Sequence, residues 1–342
     1  MFSTFSFKTR LLGVLTVLCL FGCLCLTGCG GEDPPGFLAS VTTLTFYDGD
    51  AAGAERAVTA ELDRLEDLLD PALEGSDLWR VNRAEAGEAL SLSPAFWAVF
   101  DLASEIAALT DEAFSPALYP LTLLWGFGGQ TRVPSEAEIA AALADCGLEH
   151  FSVSGEGEDR LLVKSRAGAM LDFGGIAKGY AADRAGEIAR SFGVTSGLID
   201  IGGNHLFLGD KGGSPFRVGV ADPRPAEHGS ALFGVLALRD TSAVSSGDFE
   251  RYFVEDGVRY CHILDKNTGA PARSGLCMTF VADPVSARAD ALSTALFVMG
   301  LEQGAAFCQA HGISAILAEE DRYWTNLELE EVSSSYIRYE IG

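Results

Sequence analysis

The sequence predicts an α+β fold in which mixed, largely antiparallel sheets are flanked by helices, built as a single large unit over residues 37–342. Three observations lead there. Helical and strand-like stretches mix without a repeating βαβ rhythm. Many short runs rich in Val, Ile, Thr and aromatics sit between turn residues and read as strands. No internal repeat, and no low-complexity linker beyond residue 36, divides the chain.

Residues 1–28 precede that unit. Lys8 and Arg10 form a short basic start, residues 11–26 are almost wholly apolar, and Leu26-Thr27-Gly28-Cys29 follows. This is the layout of a secretory signal, and the apolar run is shorter than the ~20 residues a spanning helix needs. A cysteine directly after small residues is the position expected to be lipid-modified, so Cys29 is read as the anchored first residue. Residues 29–36, with Gly30-Gly31 and Pro34-Pro35, read as a flexible tether. The expectation is a membrane-anchored lipoprotein on the extracytoplasmic face, either the periplasmic side of an inner membrane or the surface of a single-membrane cell.

Within the unit, residues 41–47 read as a strand. Residues 50–69 have helical spacing, with Leu62, Leu65, Leu68 and Leu69 on one face. Residues 92–109 form a second amphipathic helix, and 110–129 an irregular loop rich in Pro, Gly and aromatics. Ser135 with Glu138 is a capping box that opens a third helix. Residues 161–170 read as a strand. A glycine turn at Gly174-Gly175 leads into a helix to about Phe192. Residues 198–208 read as a strand interrupted at Gly202-Gly203-Asn204, and further strands are expected at 216–220, 233–238, 242–245, 252–254 and 260–264. Helices at 289–299 and 303–311 and a buried strand at 314–317 complete the order.

The chain carries 24 basic and 48 acidic residues, a net charge of −24 that becomes −26 without residues 1–28. Such a field repels nucleic-acid phosphates. It also opposes adhesion to anionic lipid, which leaves the lipid on Cys29 as the membrane link. A phosphate-bearing substrate would need local cations or a metal. Beyond residue 29 the cysteines are Cys146, Cys261, Cys277 and Cys308, with no C-x-x-C pair and hence no zinc signature. In an oxidising compartment one or two disulfides are open to them, Cys261 with Cys277 foremost; buried free thiols are the alternative.

Three stretches carry chemistry. Gly174-Gly175 at a strand-to-helix turn can present amides to an anion, with Lys178 one turn into the helix; a purely structural turn is the alternative. Asp290, Ser293 and Thr294 lie at i, i+3 and i+4 of one helix, an oxygen-rich stripe suited to Mg²⁺ or else a solvated polar face. His262 and Asp265 are delivered by a strand to the start of a turn, where a histidine can act as general base or merely be structural. No G-x-S-x-G elbow is present, so a serine-hydrolase reading has no support.

These stretches together resemble the ApbE-type FAD:protein FMN transferases over about residues 37–300. The matching segments, in the family's order, are AFSPALYPLTLLWGFG from Ala113, LDFGGIAKGYAAD from Leu171, SSGDFERYF from Ser245, HILDKNTGAP from His262 and DALSTALFVMG from Asp290. The resemblance implies an ApbE-like, T-fold-like catalytic unit. It implies cleavage of the FAD pyrophosphate and transfer of FMN through a phosphoester to a Thr or Ser hydroxyl of an acceptor protein, with Mg²⁺ and release of AMP.

Carried over, Asp290, Ser293, Thr294 and the Gly175 carbonyl would hold the metal. Asp172, Lys178, Ala113, Phe114, Ser115, Leu38 and the turn at Leu264 would contact FAD, and His262 would be the base. Arg251 is a further phosphate contact. The implied partner is an extracytoplasmic flavin-acceptor domain of a membrane redox protein. The chain departs from the family on the flavin side: Leu38-Ala39-Ser40 stands for Met-Gly-Thr, Ser115 and Ala117 for the Asp and Thr of Phe-Asp-Pro-Thr, and Lys266 for the proline after His-x-x-Asp. An FAD pyrophosphatase releasing FMN and AMP, and a non-catalytic flavin-binding lipoprotein, are the competing expectations.

Overall fold

The structure, a computed structural model, describes residues 18–19, 42–331 and 333–341. The expected cleavage site, Cys29, the expected tether and Leu38 lie outside the described residues.

In chain order the strands that position the site are β1 (Thr42–Phe46), β2 (Gly197–Ile201), β3 (Asn204–Leu208), β4 (Thr241–Gly247), β5 (Tyr252–Glu255), β6 (Val258–Cys261), β7 (Met278–Asp283), β8 (Ser314–Ala318), β9 (Arg322–Thr325) and β10 (Ile337–Arg338). All but β5 and β6 lie in one eight-stranded sheet, in the order β10-β9-β8-β7-β4-β3-β2-β1. Only β9 and β10 run parallel there.

Period-2 alternation explains why this sheet is covered on both sides. Ile199, Val244, Val281 and Leu317 join one core, while their neighbours Leu198, Ala243, Phe280 and Ile316 join another. A one-residue slip in register would exchange the two sets.

On the first face lie the helices α1 (Ala51–Leu69), α2 (Pro94–Leu109), α3 (Ala177–Ser191) and α4 (Ser286–Met299). Asp50 caps α1 through the Gly53 N–H at 3.0 Å, and Ser93 caps α2 through the Phe96 N–H at 3.2 Å. Helices α3 and α4 cross at very short range. A Cβ on Gly179 would sit 2.6 Å from Ala287 Cα, closer than packed atoms allow. One turn further on, Asp183 accepts the Ser286 and Ala287 N–H groups at 2.8 and 2.9 Å, so a side chain of α3 caps α4. Burial pushes that carboxyl up to about 6, against those two N–H groups.

The second face is covered by a small sheet of Phe216–Ala221, Leu232–Leu238 and Glu330–Glu331, with Leu18–Cys19 running parallel beside the first of these.

Several expectations change. The stretch 110–129 is not wholly irregular: Tyr119–Trp125 is helical, ends at Gly126 (φ 78°), and is fixed by the Trp125 indole donating to Gly269 O at 2.9 Å. The strand expected over 161–170 stops at Lys164, because the buried Lys164 ammonium donates to the carbonyls of Asn82, Ala167 and Ala169 and folds the following turn back. Residues 198–208 are two strands, reversed at Gly202 and Gly203, whose positive φ values of 56° and 90° favour glycine. The strand expected over 260–264 breaks at His262. Met278–Asp283, at the centre of the sheet, is not among the expected strands; its first four residues are all buried, Thr279 included, so no alternation marks them. Cys146, Cys261, Cys277 and Cys308 are free and buried, so Cys261 and Cys277 are not bridged.

Candidate active site

The chain reaches the site through Leu171-Asp172-Phe173-Gly174-Gly175, ahead of α3. Asp172 N–H donates to Pro116 O at 2.8 Å, which ties this turn to the 113–117 loop. The Asp172 carboxylate accepts the Gly174 N–H at 2.9 Å. Burial raises its pKa, against that hydrogen bond and the nearby Arg251. A Cβ on Gly175 would lie 3.2 Å from Phe114 Cε2 and 3.6 Å from Thr294 Oγ1. The bare glycine therefore lets the turn, the Phe114 ring and the α4 hydroxyl approach one another.

Asp290 is 5% exposed, and its carboxylate accepts the Gly179 N–H at 3.1 Å. Burial raises its pKa, opposed by Lys178, the Gly179 amide and Asn204. Asn204 is 2% exposed; its Nδ2 makes no conventional hydrogen bond among the described residues, yet it faces the Asp290 carboxylate. Lys178 makes no hydrogen bond or ion pair among the described residues, although its charge acts on Asp290, Glu250 and His262.

His262 stands where β6 leaves its hairpin. Its Nδ1 lies 3.2 Å from Arg251 O, and since a carbonyl only accepts, Nδ1 carries the proton and Nε2 keeps its lone pair. Burial, with Arg251 and Lys178 adding, lowers the pKa from 6.5 to about 3, so the ring is neutral. Arg251 donates to Phe127 O at 2.5 Å. Glu250, next to it, is pushed by burial up to about 7, with Asp290 adding and Lys178 and Arg251 opposing.

Asp172, Lys178, Arg251, His262 and Asp290 thus act on one another across α3, α4 and the β4–β5 and β6 connections. Glu250, Asn204 and Gly179 belong to the same place and were not singled out from the sequence. Glu250 and Gly179 lay inside quoted motifs, where their spacing alone assigned them nothing. Ser293 differs from its neighbours: it is fully buried, its Oγ donates to Asp290 O at 2.8 Å and lies 2.7 Å from Ser246 Oγ. Its hydroxyl is committed to the joint between α4 and β4, while that of Thr294 has no hydrogen bond among the described residues. Leu264 is buried against Leu121 and Trp125, so its backbone, not its side chain, is what a ligand could meet. Ala113 packs on the main core and Phe114 is buried in it.

The departures Ser115 and Lys266 prove to be linked. Ser115 Oγ donates to Glu112 at 3.3 Å, and Lys266 Nζ pairs with the same carboxylate at 2.6 Å. One acidic residue so joins the Phe114 loop to the turn after His262.

The donor set is hard and oxygen-based. Among the described residues no group of three His, Cys, Asp or Glu side chains gathers as a metal site. What converges instead is one under-supplied carboxylate (Asp290), one unbonded hydroxyl (Thr294) and the Gly175 backbone. That combination fits a Mg²⁺ that keeps places for water or phosphate.

Residues 38–317 match the ApbE family. A Klebsiella pneumoniae protein named FAD:protein FMN transferase is 34% identical over 293 residues, covering 83% of this chain and 88% of that protein. A Vibrio cholerae protein of the same name is 29% identical, covering 88% and 92%. The apo crystal structure of the Pseudomonas stutzeri flavinyl transferase ApbE superposes with a TM-score of 0.73 at 34% identity, covering 86% of this chain and 91% of that one.

Proposed function

The chain belongs to the ApbE family, and from that premise we propose that it is an FAD:protein FMN transferase that moves FMN onto a Thr or Ser hydroxyl of an acceptor protein and releases AMP. The observation that carries the reading is the placement of a neutral base, His262, in the field of two cations, Lys178 and Arg251, beside the Asp290–Thr294–Gly175 oxygen set.

In this reading the acceptor oxygen bonds to the phosphorus of the FMN half, and the bond from that phosphorus to the bridging oxygen breaks. AMP leaves with that oxygen, and the hydroxyl proton passes to His262 Nε2. A hydroxyl is a weak nucleophile at neutral pH, and a general base within reach of its proton contributes typically 10²–10⁴-fold. Lys178 and Arg251 neutralise phosphate charge inside an otherwise acidic protein. Asp290, Thr294 and the Gly175 carbonyl would hold Mg²⁺, which supplies Lewis-acid stabilisation of the pyrophosphate when bound. Ser293 holds the backbone carbonyl of Asp290, and Asn204 faces its carboxylate.

The proposed location is outside the cytoplasmic membrane, on a lipid at Cys29. Its support is the residue pattern around Leu26–Cys29, and the acceptor it would face is a flavin-carrying domain of a membrane redox protein. The test is incubation of the protein with FAD, Mg²⁺ and such an acceptor domain, followed by mass spectrometry. Covalent flavin with AMP is the expected result. AMP without labelled acceptor would replace the reading with a pyrophosphatase, and bound FAD with neither product would replace it with a binding protein.

A further inference from the structure

Strands β5 and β6 form a hairpin that no third strand accompanies among the described residues. Its turn, Glu255-Asp256-Gly257-Val258, places Asp256 (φ 51°) and Gly257 (φ 76°) both in the left-handed region, the two-residue turn whose twist suits antiparallel strands. Glu255 faces Val258 as the first hydrogen-bonded pair, so bonded and non-bonded pairs alternate down the ladder. The His262 N–H donating to Arg251 O at 3.0 Å fixes that phase at the other end.

It follows that the N–H and C=O groups of Tyr252 and Val254 point away from β6, and they make no other backbone hydrogen bond among the described residues. The side chains of the same two residues are 46% and 59% exposed and share a face. The opposite face is held firmly: Phe253 stacks on Tyr260 at 5.1 Å, and both pack on Trp125. The base of the hairpin is Arg251 and His262, which are in the active site.

We infer that the outer edge of β5 is the docking strand for the acceptor polypeptide, which pairs as an extended segment with the backbone of Tyr252 and Val254 and lies against their side chains. The inference rests on the transfer reading, since only transfer brings a polypeptide to His262. A net charge of −24 disfavours an acidic partner and gives weight to main-chain pairing and apolar contact. At about 3.3 Å per residue, a hydroxyl one or two positions beyond the paired segment reaches the hairpin base.

Val254→Pro removes an outward N–H and leaves the β5–β6 ladder intact; Val254→Thr keeps that N–H and the branched shape. Each protein is given FAD, Mg²⁺ and a library of short peptides with a fixed central threonine. Peptide labelling should fall at least tenfold in the proline variant and stay near wild type in the threonine variant. FAD affinity and acceptor-free AMP release should be equal in all three. Equal labelling by the proline variant would overturn the inference, as would a matching loss of FAD affinity, which would make the hairpin part of the flavin site. Label on a folded acceptor domain but on no peptide would also overturn strand pairing. Label on neither would instead remove the transfer reading.

Discussion

Two carboxylates are buried on opposite sides of the central sheet, and they are supplied with donors very differently. Asp222, behind the sheet, is wholly buried and takes three donors on one oxygen: Arg224 N–H at 2.8 Å, His228 Nδ1 at 2.8 Å and Tyr336 Oη at 3.1 Å. The Tyr336 ring sits 4.7 Å from those of both Phe233 and His228, so this anion pins the C-terminal stretch to the small sheet. Asp290, on the helical face, has one backbone amide, an imperfectly placed Asn204 and a lysine that pairs with nothing closer. Both arrangements follow the same rule, that a buried charge must find compensation. At Asp222 the fold supplies it through Oδ1 alone, with Oδ2 buried and without a hydrogen bond among the described residues, and the carboxylate is architecture. At Asp290 the fold withholds it, which is the basis for proposing a cation there.

The sharpest way to break this contrast is to exchange the two readouts. Asp290→Asn should reduce Mg²⁺-dependent AMP release by roughly a thousandfold or more, the loss of several kcal/mol of charge stabilisation. Its melting temperature should be unchanged or higher, because a desolvated anion has been removed. Retained turnover would end the metal assignment. Asp222→Ala should do the reverse. It leaves three donors unmatched and should cost about 2–4 kcal/mol in urea unfolding, with turnover per folded molecule within about twofold.

A subtler separation is by pH. His262 is lowered from 6.5 to about 3 in the folded protein, so its contribution to stability is present above 6.5 and is lost as pH falls from 6.5 towards 3. Glu250 is raised from 4.5 to about 7, so it penalises folding progressively as pH rises from 4.5 through 7. Melting curves between pH 4 and 8 should therefore lose their acid-side fall in His262→Asn and part of their alkaline-side fall in Glu250→Gln. Identical curves for wild type and both variants would refute the placement of these groups. The smallest effect is expected of Lys266→Ala, which frees Glu112. Stability should change by about 1 kcal/mol or less for a part-exposed pair, while the KM for FAD rises two- to threefold with kcat constant.

Much of the candidate site could be proposed from sequence because its parts lie in short, ordered motifs. Asp290 and Thr294 share a helix, so their spacing alone aligned them. Lys178 follows its glycine turn directly. What stayed hidden depended on partners distant in sequence. Ser293 has the right spacing, but its direction is decided by Ser246, 47 residues away. Glu250 acquires meaning only when α3 and α4 bring Lys178 and Asp290 to it. The fold class and most helices followed from periodicity. The central strand Met278–Asp283 did not, because a strand buried on both faces has no polar side to reveal it.

Gly179 has a consequence for how the chain can diverge. Its contact with Ala287 locks α3 to α4 along their backbones, and its own amide holds Asp290. The spacing between the lysine and the carboxylate is thus written in main-chain geometry, out of reach of changes in the loops. The loop that carries Ser115 and Ala117, and the turn at Lys266, lie outside that backbone contact and can vary without disturbing it. The strictest demand on this part of the chain is therefore a missing methyl group between two helices.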